Sequence, residues 1–356
     1  MHVRTLLSCS LALALSACAA PKTSVSVDLL EVRPTEGLEL TVVRKPTLAY
    51  LETIERSPHA SAVSRVTANG DSAVQISAPM ISPKEDLLVF TEIIQDDSGT
   101  TYSNIFKLVP GNAAKTSVTF GKWLDSDPSF TPDGQHLVFG SNRTSQYRSL
   151  WRVPLGREGG LTKLTGSHAD DSFPSVSPSG SSVIYASVPR YEDDMQVWAL
   201  EAGFQTQLRE GGQPQISPDG KHIVFVRYDK TSKANPKQVK SISQKRPIPG
   251  RMQLWAMNDE GGEETQLTAN LDYDACDPRW SPDGQWIVFA SDEGLDSERR
   301  HNFDIWAMRP DGTGKTQLTT NGSLDDNPCW DRSGRFIYFR SNRGGTWNIW
   351  RFEPRL

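Results

Sequence analysis

Cysteine and histidine are scarce in this chain of 356 residues, which holds four of the first and six of the second. Beyond the first residues the histidines His59, His136, His168, His222 and His301 are scattered and lack the spacing of a zinc site. A Gly-x-Ser-x-Gly elbow is missing, and with it one common signature of a serine nucleophile. Basic residues are not in excess. There are 38 Lys and Arg against 43 Asp and Glu, a net charge of −5, and nothing in that balance points to nucleic acid. Gly312-Thr313-Gly314-Lys315-Thr316 has the look of a phosphate loop, but Arg309 stands where the first Gly is required. No catalytic constellation, metal set or cofactor site is therefore expected, and the chain reads as a binding protein and not an enzyme.

What the sequence does have is turn chemistry, with 27 Gly, 23 Pro and ten Trp. Phe130-Thr131-Pro132-Asp133-Gly134, Val176-Ser177-Pro178-Ser179-Gly180, Ile216-Ser217-Pro218-Asp219-Gly220 and Trp280-Ser281-Pro282-Asp283-Gly284 repeat one pattern. Ile81-Ser82-Pro83 and Trp330-Asp331-Arg332-Ser333-Gly334 are weaker copies, at successive spacings of 49, 46, 40, 64 and 50 residues. Pro presets the φ of a type I turn, and Gly supplies the left-handed residue that closes a hairpin with a bulge. Each copy runs into an apolar stretch such as Leu137-Val138-Phe139, then a third strand such as Leu150-Trp151-Arg152-Val153, then often a short outer strand such as Thr316-Gln317-Leu318-Thr319. Four strands in each of six repeats predict an all-β, six-bladed β-propeller of four-stranded blades. The last copy stops after its third strand, and Ser64-Arg65-Val66-Thr67 supplies a spare outer strand that completes the last blade and closes the ring.

The chain opens with His2-Val3-Arg4, an apolar stretch from Leu6 to Leu15, and then Ser16-Ala17-Cys18. A charged start, a short apolar run and small residues form a secretory signal. Leu15-Ser16-Ala17-Cys18 resembles the lipobox of bacterial lipoproteins, which implies cleavage before Cys18 and lipidation of its thiol. Ala19 in place of Asp favours, by resemblance to enteric lipoproteins, an outer-membrane anchor facing the periplasm. The expected domains are 1–17, a signal peptide; 18–62, a lipidated tether with an unassigned segment; and 63–356, the propeller. Only Cys276 and Cys329 then remain as unmodified thiols, and their unlike places relative to Pro278 and Pro328 argue against a bridge.

With these residues assembled, the chain resembles the TolB-type propeller repeat from residue 64 to 356. Asp-x-x-Pro, Ser-Pro-Asp-Gly, an apolar strand, Ile-Trp and Leu-Thr recur in that order. The resemblance implies a ring used for protein contact in the cell envelope. TolB itself carries an α/β domain ahead of its propeller, for which the stretch between Cys18 and Ser64 is short.

Strand parity sorts the loops onto two faces. On the upper face, where innermost strands begin, lie Asp125 and Asp127, Asp170 and Asp171, Asp274 and Asp277, Asp325 and Asp326. Two readings are open: a ring for a cationic group or metal, or local caps and ion pairs with Arg143 and Arg343. Because Asp recurs with the fold motif, the second is favoured. The same face receives a basic insertion that includes Lys233, Lys237 and Lys240, suited to an anionic partner or simply hydrated. The expected partners are an envelope protein or peptide and, through the lipid, the membrane; the chain is expected to be a monomer. The alternative is a propeller enzyme, polysaccharide lyase-like or hydrolase-like, acting at the channel mouth.

Overall fold

The structure, a computed structural model, describes residues 52–53 and 57–356 apart from 113, 157–159, 167–168, 191–193, 230–250 and 295–301. Cys18, Lys233, Lys237 and Lys240 lie outside the described residues.

The turns set the architecture. In the fifth repeat Ser281 Oγ donates to Asp283 Oδ1 (2.6 Å), and Asp283 Oδ1 accepts from Gln285 N (3.0 Å). Gly284, at φ 70°, donates its N–H to Ser281 O (2.9 Å). Only a residue tolerant of left-handed φ closes this turn without strain. The turns also lean on one another. A Cβ at Gly180 would lie 3.6 Å from Pro132, and one at Gly220 3.6 Å from Pro178, each Pro belonging to the preceding repeat.

Strands follow on both sides of every turn, giving six antiparallel sheets ordered from an innermost strand outward. Blade one has innermost strand Val74–Ile81, and blades two to six have Asp125–Phe130, Ala169–Val176, Gly212–Ile216, Ala275–Trp280 and Asp325–Trp330. Second strands are buried along almost their whole length, as in Ile287–Ser291 and Ile337–Ser341, because neighbouring blades cover both faces. The core is accordingly a ring of six layers, each between two blades. Phe90 of blade one packs with Tyr338 of blade six, and Val89 with Phe139 of blade two. Phe139, Phe225, Phe289 and Phe339 are fully buried. Of the repeating tryptophans Trp350 and Trp151 are buried, whereas Trp198, Trp255 and Trp306 are half-buried.

Ring closure occurs as the sequence predicts. Val63–Arg65 pairs with Asn348–Phe352, Ser64 opposite Arg351 and Arg65 opposite Trp350. The structure adds a strand that no sequence pattern announces: Glu52–Thr53 pairs with Val63–Arg65 and makes blade six five-stranded.

Cys276 and Cys329 are free and buried in different core layers. Burial pushes the Cys276 thiol well above its ordinary value and that of Cys329 up to about 12, so both are weak nucleophiles in the folded state. Maleimide labelling is expected to reach them only after denaturation, without prior reduction; labelling restored only by reductant would mean a disulfide.

Candidate functional site: the upper face and the channel

All eight aspartates gather at the upper end of the innermost strands, where second strands end and third strands begin: Asp125 is opposite Ser141, which is opposite Ser149. They occupy several levels there, and none is fully exposed.

Asp125, Asp171 and Asp325 are equivalent, each opposite a serine of the second strand (Ser141, Ser187, Ser341) and each buried. Arg143 Nη2 reaches both oxygens of Asp125 at 2.8 Å, and its guanidinium lies 5.4 Å from the Phe139 ring and 5.3 Å from Trp151. Arg343 repeats this on Asp325 beside Phe339 and Trp350. Among the described contacts of blade three no arginine repeats this, and Asp171 accepts from Thr165 Oγ1 (2.5 Å) and Ser187 Oγ (2.7 Å). Burial raises the Asp171 carboxyl above its ordinary range.

Asp170 and Asp274 stand one residue earlier and fasten one blade to the preceding one. Asp170 accepts from Arg148 Nε and Nη2, both at 2.9 Å, and Asp274 from Met252 N at 2.8 Å and Arg251 Nη1 at 3.2 Å. Asp326 is held by Arg340, whose guanidinium lies 4.3 Å from the Trp347 ring.

Asp127 and Asp277 belong to a belt around the channel. Every innermost strand breaks register at a residue that precedes proline: Ala78, Asp127, Phe173, Gln213, Asp277 and Asn327, with φ between 47° and 54°. Proline cannot donate to the ladder, so a bulge forms there. Where the bulge side chain can accept, it takes the backbone N–H of the next blade's bulge residue. Asn327 Oδ1 accepts from Ala78 N (3.1 Å), Gln213 Oε1 from Asp277 N (2.8 Å), Asp277 Oδ2 from Asn327 N (3.3 Å), and Asp127 from the Phe173 amide. Asp277 also accepts from Gln213 Nε2 (2.9 Å) and Asn327 Nδ2 (2.6 Å). Burial raises both belt carboxyls, and for Asp277 the nearby Asp326 adds to the effect.

Just below stands Arg279. Its Nη1 donates to Pro278 O (3.1 Å), while its Nε is buried without a partner. The carboxylates that act on it are Asp277 beside it and Asp127 of blade two, across the channel. Sequence reasoning passed over Arg148, Gln213, Arg279, Asn327 and Arg340. The recurring X-Pro before each turn was a signal for the belt; Arg148 and Arg340 had none, because the aspartates they hold lie on other strands. Among the described residues no group of three His, Cys, Asp or Glu is placed to hold a metal ion.

The upper face also exposes two aromatics in the connection between blades one and two. Phe120 is 72% exposed and Trp123 43%. Gly121, at φ 111°, lies under the indole so closely that a Cβ would stand 2.8 Å from Trp123 Nε1, and Trp123 O accepts from Ser103 N (2.7 Å).

No family model matches the chain. It is 31% identical over 140 residues to an uncharacterised protein of Agrobacterium fabrum, covering 35% of this chain and 47% of that one. It is 27% identical over 213 residues to an uncharacterised peptidase of Bacillus subtilis, covering 51% of this chain and 32% of that one, and 24% identical over 274 residues to a TolB homologue of Chlorobium luteolum, covering 70% and 56%. The chain thus spans from a third to just over half the length of these curated relatives. Among solved structures, a putative TolB from Agrobacterium tumefaciens superposes with a TM-score of 0.56 at 21% identity, covering 75% of this chain and 90% of that one. A manganese complex of oligogalacturonate lyase gives 0.54 at 12% identity (86% and 95%), and a gluconolactonase from Xanthomonas campestris 0.56 at 11% (85% and 97%). The fold is a TolB-like β-propeller. One expectation is corrected. The missing motifs excluded catalysis in the sequence reading, yet the peptidase, the lyase and the lactonase are all similar to this chain, so that exclusion does not stand.

Proposed function

We propose that this TolB-like propeller is a cell-envelope protein, held to the membrane by a lipid on Cys18, that binds a protein or peptide partner on its upper face. The observation that carries the reading is the exposure of Phe120 and Trp123, three residues apart in one loop on a rigid frame, since large exposed aromatics are what binding hot spots are made of. The insertion bearing Lys233, Lys237 and Lys240 starts from the same face and suits an anionic partner. The turns of the other face are short and packed on one another, which leaves little adaptable surface.

Crosslinking in intact cells tests the face. Phe120→Ser with Trp123→Ser is expected to reduce the captured partner about tenfold or more, as loss of a hot spot of about 2 kcal/mol implies. Lys233→Glu, Lys237→Glu and Lys240→Glu together should slow association and flatten its salt dependence. Lys84→Glu with Lys221→Glu on the turn face should leave capture unchanged; if they alone weaken it, the face is wrong. The anchor has its own test. Cys18→Ser should release the protein from the membrane fraction or leave its precursor uncleaved, and normal processing with full retention would overturn it.

A second reading, acid–base chemistry at the channel mouth, draws support from the lyase and lactonase similarities together with the raised carboxyls of Asp127 and Asp277 beside Arg279. Turnover of oligogalacturonides or sugar lactones that Asp277→Asn abolishes would favour it.

A further inference from the structure

Blade three ends differently from its neighbours. The outer strands of blades one, two, four and five are two residues long: Thr116–Ser117, Thr162–Lys163, Thr265–Gln266 and Thr316–Gln317. The outer strand of blade six is covered by Glu52–Thr53. Blade three instead carries Phe204–Glu210, seven residues of which all but Leu208 are exposed, with Phe204 at 78%. No described strand pairs with its outer edge. Short strands, charges, bulges and proline are the usual protection of a sheet edge; here charges and a bulge come only at the far end, at Arg209–Glu210 and between Gln207 and Arg209, and Phe204-Gln205-Thr206-Gln207 has none of them.

We propose that this edge joins two copies of the protein, strand to antiparallel strand, about a two-fold axis through Thr206. The register follows from the hairpin. Gln196–Glu201 leads into Phe204–Glu210 through Ala202 and Gly203, at φ 48° and 85°, a two-residue turn that makes Glu201 and Phe204 its closing pair. Alternation then turns the backbone N–H and C=O of Gln205 and Gln207 outward. A two-fold pairing that matches outward groups sets Gln205 of one copy against Gln207 of the other and centres on Thr206. The same register sets Thr206 opposite itself, in a site where cross-strand side chains approach closely, and brings Phe204 of each copy to the end of the pairing, beside the bulge at Leu208 of the other. No like charges face each other, and the most exposed large apolar side chain gains a cover. Leu208 is already seated on blade four, where a Cβ at Gly261 would lie 3.2 Å from its own Cβ. The edge therefore cannot swing away. So short a contact buries less than a standard interface, and pairing should rise with concentration.

Disulfide trapping tests this in the full chain. Thr206→Cys, oxidised in cells, is expected to give a dimer band at least tenfold stronger than Lys221→Cys or the unaltered chain. Thr206→Lys, which sets like charges against each other at the axis, should abolish concentration-dependent dimerisation in sedimentation velocity while leaving the melting temperature unchanged. The proposal falls if Thr206→Cys traps no more dimer than Lys221→Cys, or if the Thr206→Lys chain dimerises normally. It also falls if the trapped species has a mass other than twice the chain, which would make the occupant a different protein.

Discussion

Arg143→Met is expected to destabilise the protein by about 3–5 kcal/mol, the usual consequence of removing one partner from a buried ion pair. Asp125 is fully buried and Arg143 nearly so. Without the guanidinium Asp125 keeps only the Ser141 hydroxyl (2.5 Å) as a side-chain donor. The methionine would keep the contacts with Phe139 and Trp151, so most of the loss is electrostatic. Denaturant unfolding of the double variant Arg143→Met, Asp125→Val should then show a much smaller loss than either single change, because the stranded charge has gone. Arg335→Met is the control. Its ion pair with Glu353 is solvent-exposed on both sides (3.2 Å), and breaking it should move stability by no more than about 0.5 kcal/mol. Equal curves for Arg143→Met and the unaltered chain would mean that the pair is not closed in solution.

The second large effect is expected at the joint of the ring. Deleting residues 62–68 removes Val63, which is fully buried, and the bonds that tie Val66 and Thr67 to blade six. One buried valine at about 2 kcal/mol and a few hydrogen bonds at about 1 kcal/mol each predict a loss of roughly 3–5 kcal/mol. A smaller change isolates the latch: Thr67 Oγ1 donates to Asn348 Oδ1 and accepts from Ile349 N, both at 2.9 Å and buried. Thr67→Ala should therefore cost about 2 kcal/mol. Thermal melts that stay unchanged in both variants would show that the ends meet by other contacts.

The ring itself was legible because its cause is local. Ser-Pro-Asp-Gly fixes a turn wherever it stands, and the apolar run behind it can be satisfied only between two covering blades. The spare strand at Ser64 was legible because the last repeat lacked one. The site was harder. Asp125 and Asp127 read as one pair, but the bulge between them sends the first to Arg143 within its blade and the second toward the next blade. Spacing relative to proline separates Asp274, four residues before Pro278, from Asp325, three before Pro328, yet the aspartates read as one set because all of them stand just ahead of the same turn. Arg148 meets Asp170 across a blade boundary, 22 residues away, and no repeat pattern encodes that contact. The length of Phe204–Glu210 was hidden for another reason: its exposed residues carry no apolar alternation. The exclusion of catalysis failed because it rested on missing motifs, whereas rings similar to this one include a lyase and a lactonase.

The bulge belt bears on how such a ring can be rebuilt. In the sequence the six repeats read as interchangeable modules, but the belt makes them order-specific. Gln213 holds the amide of Asp277, Asp277 that of Asn327, and Asn327 that of Ala78, while Ala78 and Phe173 carry no side-chain acceptor to pass on. Exchanging blades three and five would seat Phe173 ahead of Asn327 and take away that residue's acceptor. The blades are thus like numbered staves of one barrel, each cut for the stave beside it.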